Sequence, residues 1–343
     1  MGFIKWLGII IGIVVVCYIL LWFLSIKKYW VDYGMSFSEE YALSLGLDPQ
    51  EVFTAMLTDF QPKYIRLAAN WKDVEPQKGV FAYERLDSFM NQAAQKNVKV
   101  VLVIGQKAPR WPECHVPKWY DPNGPNARME LLSYVATTVV RYKDHPALDV
   151  WQVENEPFIR FAFGECEGYR EDAIYEEIDV VRQFDPDRKI LITDSGELGL
   201  WYPANKTGDL FGTTLYRIVR TPGGRIVTYD WVPAAFYRLK ARLLGIDMKN
   251  FWVAELQAEP WFAGGDPHNT SIEEQEETMN PDRLAKHLEY VASIGVDRAY
   301  LWGVEWWYFM KVKNNDPRYW EYVQDFLKGN VTPYWEMREP FVK

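Results

Sequence analysis

The amino-acid sequence predicts an α/β protein whose main body is a closed (β/α)8 barrel, the TIM-barrel fold. Three observations carry this prediction: apolar segments of strand length recur along the chain, amphipathic segments of helix length separate them, and no G-x-G-x-x-G or G-x-x-x-x-G-K-[ST] loop is present. Apolar strands that alternate with helices are typical of a parallel sheet covered on both faces, and eight such units in about 300 residues fit a closed barrel. An open, doubly wound sheet is the alternative, and the missing phosphate loop disfavours it.

The apolar runs give eight candidate strands, at 32–38, 63–69, 98–105, 148–155, 189–194, 212–219, 250–256 and 298–304. The amphipathic segments predict seven helices, at 48–60, 84–96, 127–143, 175–184, 235–245, 282–295 and 318–328. Several of these helices begin at Asp-Pro or Asn-Pro, which supplies an N-cap followed by a proline that the first helical turn tolerates. The order of the segments therefore matches eight strand-helix units.

The segment from Trp6 to Ile26 predicts a membrane-spanning helix. Its 21 residues carry no charge, and about 20 apolar residues are needed to cross the hydrocarbon core. A cleaved signal peptide is the competing interpretation, but its apolar region is usually about 7–15 residues long, and no small-x-small cleavage site is present here. We therefore divide the chain into an anchor over residues 1–30 and a barrel over residues 31–343, and expect membrane lipid to contact residues 6–26. The flanking lysines are too evenly distributed to fix the orientation.

Charge and composition narrow the choice of partners. Residues 31–343 carry 35 of the 38 basic residues and all 47 acidic residues, a net charge of −12, which disfavours a nucleic-acid partner. The four histidines are dispersed, and neither H-E-x-x-H nor C-x-x-C occurs. We therefore expect no metal ion and no cofactor, and no protein partner can be inferred.

Active sites of (β/α)8 barrels lie at the carboxyl ends of the strands, so the strand ends supply the candidate site residues. These candidates are Arg66, Asn70 and Trp71 at the second strand, Asn155 and Glu156 at the fourth, Tyr216 on the sixth, Glu255 on the seventh and Trp302 on the eighth. Two carboxylates across a barrel mouth, such as Glu156 and Glu255, suit cleavage of a glycosidic bond, because one protonates the leaving oxygen while the other attacks or activates water. A lone glutamate at a strand end is more often a surface ion-pair partner. Two at these strands, with Asn155 adjacent to one, favour catalysis.

The aromatic content agrees with a carbohydrate substrate, since pyranose faces stack on aromatic rings. The chain has 16 tryptophans, and several of them belong to the membrane segment or the core. We expect sugar contacts from the tryptophans that follow the third and eighth strands, namely Trp111, Trp302, Trp306 and Trp307. Glu305 and Glu197 are weaker candidates for sugar contact.

Four stretches resemble one known group of enzymes. "VWQVENEPF" (150–158) resembles the acid/base strand of clan A glycoside hydrolases, the retaining (β/α)8 group that includes cellulases, xylanases, mannanases and β-galactosidases. "YIRLAANWKDVEPQKGVFAYERLD" (64–87) and "VKVVLVIGQKAPRWP" (98–112) resemble the second and third barrel units of that clan, and "FWVAELQAEPW" (251–261) resembles its nucleophile strand. The likeness spans about residues 34–310.

The resemblance implies a role for each matching residue. Glu156 would be the general acid/base, Asn155 the ligand of the sugar 2-hydroxyl and Glu255 the nucleophile. Arg66 and Tyr216 would partner the nucleophile, and Trp302 would stack on sugar. Glu259 is a rival nucleophile, because "AEP" echoes "NEP", although its place beyond the strand end suits substrate contact better. Many clan members carry His-x-Tyr on the sixth strand where this chain has Thr214-Leu215-Tyr216, which leaves the family and the substrate open.

The expected function is that of a membrane-anchored retaining β-glycosidase whose barrel faces the cell exterior. A catalytically silent barrel that holds polysaccharide at the membrane is one alternative, and a transglycosylase that remodels surface glycan is another. Cys114 and Cys166, the only cysteines outside the membrane segment, fit either a disulfide or two buried thiols. Their places in neighbouring loops of the barrel make a disulfide geometrically reasonable, and a disulfide would indicate a compartment outside the cytoplasm.

Overall fold

The computed structural model describes residues 2–159, 164–196, 198–221, 223–262 and 266–329. Its strands are β1 (Asp32–Ser36), β2 (Tyr64–Ala68), β3 (Lys99–Ile104), β4 (Leu148–Val153), β5 (Ile190–Asp194), β6 (Leu210–Leu215), β7 (Ile218–Arg220), β8 (Ile226–Thr228), β9 (Phe251–Gln257) and β10 (Arg298–Trp302). β7 and β8 form an antiparallel hairpin, and the other eight strands close into a parallel barrel in which β1 pairs with both β2 and β10. The predicted (β/α)8 fold is confirmed, with β9 and β10 as the seventh and eighth barrel strands.

The helices are α1 (Gly2–Leu24), α2 (Glu39–Ser44), α3 (Pro49–Asp59), α4 (Trp71–Val74), α5 (Glu84–Gln95), α6 (Ala127–Tyr142), α7 (Ala173–Phe184), α8 (Tyr202–Thr207), α9 (Ala234–Leu243), α10 (Ile272–Thr278), α11 (Pro281–Ile294), α12 (Val304–Lys313) and α13 (Arg318–Leu327). Two short 3-10 turns lie at Met248–Asn250 and Pro267–Asn269. The seven predicted helices correspond to α3, α5, α6, α7, α9, α11 and α13. Their Asx-Pro starts are true caps: the Asp48 carboxylate accepts from the Gln50 amide at 2.8 Å, and the Asn280 side chain accepts from the Arg283 amide at 2.9 Å.

The predicted sixth strand, 212–219, is displaced relative to β6. β6 ends at Leu215, and the apolar run continues into the hairpin strand β7. The side chain of Gln257, at the end of β9, accepts hydrogen bonds from the amides of Arg217 at 3.0 Å and Ile218 at 3.1 Å. Because these amides are satisfied by a side chain rather than by a neighbouring strand, the ladder stops there and the chain turns into the hairpin.

Apolar packing closes the barrel at the amino ends of its strands. A separate buried cluster inside the barrel is formed by Val101, Val150, Leu191, Leu210, Trp252 and Tyr300. The guanidinium of Arg298 lies 3.7 Å from the ring centre of Tyr64 and 4.5 Å from that of Trp252, which covers this cluster from below. The main core lies between the strands and the surrounding helices. With this end filled, a ligand reaches the barrel from the carboxyl ends of the strands.

α1 contains a 20-residue segment, Lys5–Leu24, with mean hydropathy 2.9 and no part buried against the barrel. It is long and apolar enough to cross a membrane, and an N-terminal signal sequence meets the same criteria. Its carboxyl end is attached to the barrel. The Ser25 hydroxyl accepts from the Ala235 amide at 2.9 Å, and Arg238 donates to the Leu24 carbonyl at 2.9 Å.

Candidate active site

A cavity of about 350 Å³ opens at the carboxyl ends of the barrel strands, and both predicted catalytic glutamates line it. Its wall also includes four other residues predicted from the sequence, which are Trp111, Asn155, Tyr216 and Trp302. β4 and β9 bring Glu156 and Glu255 to this cavity from different sides of the barrel. Six of the residues predicted from the strand ends and the loops that follow them therefore line a single cavity.

Glu255 lies on β9 between two hydrogen-bond donors. The Nη1 of Arg66 donates to its Oε1 at 2.9 Å, and the hydroxyl of Tyr216 donates to its Oε2 at 3.0 Å. Arg66 and Glu255 are nearly excluded from solvent, and Tyr216 is partly buried. Burial together with the charge of Glu255 holds the pKa of Tyr216 well above its usual range. Tyr216 therefore stays protonated and donates. Both carboxylate oxygens of Glu255 are oriented, and the partners suit an anion.

Glu156 follows β4 in a strained backbone conformation. Its φ is +46° and that of Glu154 is +60°, in the left-handed region that costs a residue with a side chain about 1–3 kcal/mol. Three hydrogen bonds hold this turn. The Glu156 amide donates to the Thr193 hydroxyl at 2.9 Å, and the Glu154 carboxylate accepts from the amides of Gln106 and Lys107 at 2.7 and 2.6 Å. This turn at the end of β4 presents Glu156 to the cavity.

The surroundings of Glu156 favour its protonated form. Burial raises the pKa of its carboxyl well above the usual range, and the nearby carboxylates of Glu255 and Glu113 raise it further. The Thr214 hydroxyl, at 3.4 Å from Oε1, is its side-chain hydrogen-bond partner. A carboxyl group whose pKa is raised in this way is suited to act as a general acid.

Asn155 is fixed between the two glutamates. Its Oδ1 accepts from Arg66 Nη2 at 2.8 Å and from Gln152 Nε2 at 3.2 Å, and its Nδ2 donates to Glu113 Oε2 at 3.2 Å. Arg66 also donates through Nε to Gln152 at 2.8 Å, so one guanidinium fork ties Asn155 and Glu255 together. The amide is therefore oriented before any ligand arrives.

Glu113 is a third carboxyl group of the cavity, and the sequence reasoning missed it. It lies in the loop after β3, is 6% exposed, and burial followed by the charge of Glu255 raises its pKa to about 8. Its neighbour Cys114 forms a disulfide with Cys166, with the sulfurs 2.07 Å apart. Cys114 was the sequence feature that could have indicated Glu113, because its disulfide attaches this loop to the loop after Glu156.

A second ionic group forms another part of the wall. Arg110 makes a two-armed ion pair with Glu259, and its Nη2 also donates to Glu305 Oε2 at 3.1 Å. The guanidinium is enclosed between the rings of Tyr41 and Trp302, with its central carbon 3.8 and 4.2 Å from the ring centres. Burial raises the pKa of Glu305 to about 7, against the opposing effect of Arg110. Glu259, the rival nucleophile, is thus held in an ion pair with Arg110.

The remaining predicted residues divide into exposed and buried ones. Trp111 is 61% exposed at the rim, whereas Trp302 is 6% exposed and lines the wall. Asn70 lines a smaller adjoining cavity of about 60 Å³.

Trp71, Trp306 and Trp307 are fully buried and do not reach either cavity. The ring nitrogen of Trp71 donates to Glu75, that of Trp306 to Gln275 and that of Trp307 to the Ala258 carbonyl. These positions do not allow the sugar stacking predicted for Trp306 and Trp307, because both lie in residues 304–310 of α12, all of which are buried. Glu197 lies outside the described residues.

Other cavity residues were not predicted. Trp261 lies edge-on to Tyr216 with ring centres 5.4 Å apart, and the β7–β8 hairpin region contributes Val219, Arg220 and Tyr229. Trp261 could have been predicted from the "AEPW" stretch (258–261), which follows the proposed nucleophile strand. The sequence patterns did not indicate the hairpin. Within the described ranges, no group of three or more His, Cys, Asp or Glu side chains has the arrangement of a metal site.

The closed barrel and the cavity at its strand ends define the class as a (β/α)8 barrel protein with a candidate active site. The family model described as "Glycosyl hydrolase family 10" matches residues 50–194, a stretch that includes Arg66, Asn155 and Glu156 and ends before Glu255. The comparison with curated proteins found no match.

Solved structures show the same fold. A GH5_18 protein from Streptomyces cattleya in complex with GlcNAc has a TM-score of 0.61 at 12% identity, over 92% of this chain and 83% of that one. The exo-β-1,4-mannosidase Op5Man5 from Opitutaceae bacterium strain TAV5 has a TM-score of 0.58 at 14% identity, over 88% and 60%. A β-galactosidase from the Antarctic haloarchaeon Halorubrum lacusprofundi has a TM-score of 0.51 at 18% identity, over 79% and 52%, so the chain spans about half its length.

At these identities the structural likeness shows the fold. Together with the family match it supports a glycosidase, in agreement with the predicted resemblance to clan A. The bond that is cleaved, the mechanism and the roles of the glutamates are proposals.

Proposed function

We propose that this protein is a retaining glycoside hydrolase that cleaves β-glycosidic bonds, with Glu255 as nucleophile and Glu156 as general acid/base. The observation that carries the proposal is the contrast between the two carboxyl groups of one cavity. Glu255 is held by an arginine and a tyrosine that donate to it, whereas burial and neighbouring negative charge raise the pKa of Glu156. Pairs of carboxyl groups in such different environments are characteristic of glycosidases.

In the first step, a Glu255 oxygen attacks the anomeric carbon while Glu156 gives its proton to the departing glycosidic oxygen. A covalent glycosyl ester forms on Glu255, and the aglycone leaves as an alcohol. The Tyr216 and Arg66 donors hold the attacking carboxylate in place. Asn155 is positioned to donate from Nδ2 to the sugar 2-hydroxyl, a contact that strengthens as charge develops at the anomeric carbon.

In the second step, Glu156 acts as a base. The negative charge of Glu255 is lost in the ester, which removes the largest of the neighbouring charges that raise the pKa of Glu156. Glu156, now ionised, removes a proton from water as the water attacks the anomeric carbon, and the ester bond to Glu255 breaks. Two inversions leave the β-configuration unchanged.

We also propose that residues 1–30 anchor the enzyme in a membrane and that residues 31–343 form the catalytic domain outside the cytoplasm. The length and hydropathy of α1 support an anchor. The Cys114–Cys166 disulfide supports an oxidising compartment, because disulfides persist there and are rare in the cytosol. Equal gel mobility with and without reductant, together with two titratable thiols besides Cys17, would argue against this location.

The test uses the full chain in detergent with a panel of aryl β-glycosides. NMR of the first-formed sugar should show the β-anomer, and a 2-deoxy-2-fluoro glycoside of the preferred sugar should label the peptide that contains Glu255. An α-anomer, or a label on Glu259, would overturn the mechanism. No turnover of any glycoside, together with saccharide binding, would indicate the silent barrel, and transfer to added sugar instead of water would indicate the transglycosylase.

A further inference from the structure

We propose that the cavity opens at the surface of the bilayer and that the substrate is a glycolipid, a β-linked saccharide whose aglycone is embedded in the same membrane. This inference rests on the proposed function for the bond that is cleaved. Its structural basis is independent of the chemistry. It comes from the path of α1, the apolar surface beside the cavity and the distribution of polar groups within the cavity.

The contacts of α1 direct it past the mouth of the cavity. α9 follows the β7–β8 hairpin and therefore begins at the carboxyl face of the barrel. Leu24 accepts from Arg238 in the second turn of α9, whereas Tyr18 donates to the carbonyl of Trp231, in the loop before α9, at 2.6 Å. α1 thus runs roughly parallel to α9, with its amino-terminal part towards the cavity face. Residues 2–17 continue beyond that face by about 24 Å at 1.5 Å per residue.

The loop that contacts α1 is also part of the cavity wall. Tyr229, which lines the cavity, lies two residues before Trp231, and the adjoining hairpin contributes Val219 and Arg220 to the same wall. A membrane that contains α1 would therefore lie next to the mouth of the cavity and not at the filled end of the barrel.

An exposed apolar surface adjoins this mouth. Its members lie in the loop after β5, at the start of α8, before α9 and on the exposed side of α9. We call them the membrane patch: Leu198, Leu200, Tyr202, Trp231, Phe236 and Leu239. Their exposed fractions range from 42% to 63%. The loop and the helix are in contact, since Lys240 of α9 donates to the Gly199 carbonyl at 2.7 Å. Contiguous apolar patches of this kind mark interaction sites, and tryptophan and tyrosine are enriched where proteins meet the lipid interface.

The charges around the membrane patch fit lipid headgroups. Residues 198–208 and 231–246 contain three basic residues that are at least partly exposed, Lys206, Lys240 and Arg242, and no acidic residue, although the chain as a whole has a net charge of −9. The fourth basic residue, Arg238, is buried and donates to backbone carbonyls. Lysine and arginine extend their heads to phosphates while their stems cover apolar surface. A two-fold contact between copies would set this positive patch against itself, so the local charge favours anionic lipid over such a contact as the occupant of the patch.

The cavity itself has a polar and an apolar side. Arg66, Asn155 and Tyr216 are grouped around Glu255, the side that would hold the sugar. Ile159, whose amide donates to the Glu156 carbonyl at 3.3 Å, lies with Leu198 and the exposed Trp111 on the apolar wall. Since Glu156 protonates the leaving group, the aglycone would leave over the apolar wall, and Leu198 connects that wall to the membrane patch. A lipid aglycone matches this arrangement.

The kinetic test uses the full chain in vesicles of phosphatidylcholine with about one fifth phosphatidylglycerol. For the sugar that the aryl-glycoside panel identifies, the substrates are the soluble aryl glycoside and the same sugar β-linked to a dialkylglycerol. Trp231→Ser with Phe236→Ser should lower kcat/KM on the glycolipid at least about tenfold and change aryl-glycoside turnover less than about twofold. The matched control, Met129→Ser with Val140→Ser on the exposed side of α6, should change neither. An unchanged glycolipid rate, or an equal loss on both substrates, would overturn the proposal.

A second measurement does not depend on catalysis. In a Cys17→Ser background, a fluorophore on Phe236→Cys should be quenched by brominated lipid, whereas one on Val140→Cys should not. Quenching without glycosidase activity would retain the membrane contact and reject the proposed function. Absence of quenching with a dimeric mass in detergent would overturn the membrane patch in favour of a contact between two copies.

Discussion

The cavity holds two arginine-carboxylate groups that differ in how the arginine is used. Arg66 distributes its N–H groups over three different acceptors, Gln152, Glu255 and Asn155, so that Glu255 receives one bond from it and one from Tyr216. Arg110, in contrast, is occupied by two carboxylates and makes a two-armed pair with Glu259.

The two arginines therefore have different roles: Arg66 orients Glu255, whereas Arg110 supports the cavity wall. Attack by Glu259 would require it to leave a buried ion pair, and removing one partner of such a pair costs about 3–5 kcal/mol. Glu255 can attack without losing its arginine, since the fork also holds Asn155 and Gln152. Arg110, with a ring on either side, instead fixes Trp302 against the cavity.

The largest effect on activity should come from replacing Glu255, the carboxylate of the Arg66 group, and a smaller one from replacing Glu259, the carboxylate of the Arg110 group. Glu255→Gln should lower kcat by about 10⁴-fold or more, because the nucleophile is lost. Glu259→Gln should act mainly on KM and cost far less in kcat, because it loosens the wall that holds Trp302. Initial rates on an aryl β-glycoside measure both.

A chemical control distinguishes loss of the nucleophile from misfolding. Azide added to Glu255→Ala should restore turnover and give the α-glycosyl azide, since the small anion attacks where the carboxylate was. Rescue of Glu259→Ala by azide, with no rescue of Glu255→Ala, would reverse the assignment.

The next effect concerns the acid/base residue. Glu156→Gln should lower kcat/KM by about 10²–10⁴-fold on glycosides with poor leaving groups, and much less on dinitrophenyl glycosides, whose leaving group needs no proton. The alkaline limb of the pH profile, which reports deprotonation of the acid, should disappear. An equal loss on both leaving groups would exclude Glu156 as the proton donor.

A smaller effect should result from replacing the guanidinium fork. Arg66→Lys keeps the positive charge but cannot contact Glu255, Asn155 and Gln152 together. Loss of one or two charge-assisted hydrogen bonds predicts a decrease in kcat of about 10- to 100-fold. Arg110→Lys is the matched variant in the second group, where we expect a change mainly in KM. Equal effects of the two variants on kcat would contradict the separation of roles.

Periodicity and strand order were sufficient to predict the barrel and the residues at its strand ends. Apolar runs at the right spacing indicated the eight strands, and the strand ends then indicated Arg66, Glu156 and Glu255. Contacts between distant loops could not be predicted in this way. Glu113 reaches Asn155 from a loop that is attached through Cys114, and Trp306 is enclosed because residues 304–310 of α12 are covered on every side.

The smallest effect on activity should come from replacing Glu113. Its carboxyl group contacts Asn155 of the Arg66 group and, among the described residues, forms no hydrogen bond with the Arg110 group. Its pKa of about 8 means that it is protonated at neutral pH, so Glu113→Gln should retain the contact with Asn155 and change kcat/KM at pH 7 less than about threefold. Stability should respond instead. In the wild-type protein the folded state keeps a proton that the unfolded chain releases above about pH 4.5, so this group's contribution is fully present below that pH.

That contribution is lost as the pH rises from about 4.5 through 8, by about 1.4 kcal/mol for each unit of pKa difference. The Glu113→Gln protein has no such proton, so its free energy of unfolding should decrease less over this range. Urea unfolding at pH 5, 6.5 and 8, followed by tryptophan fluorescence, measures the difference. If the free energies of unfolding of the two proteins changed in parallel with pH, Glu113 would be ionised in the folded protein. Two anions, Glu113 and Glu255, would then lie beside Asn155, with Arg66 as their common cation.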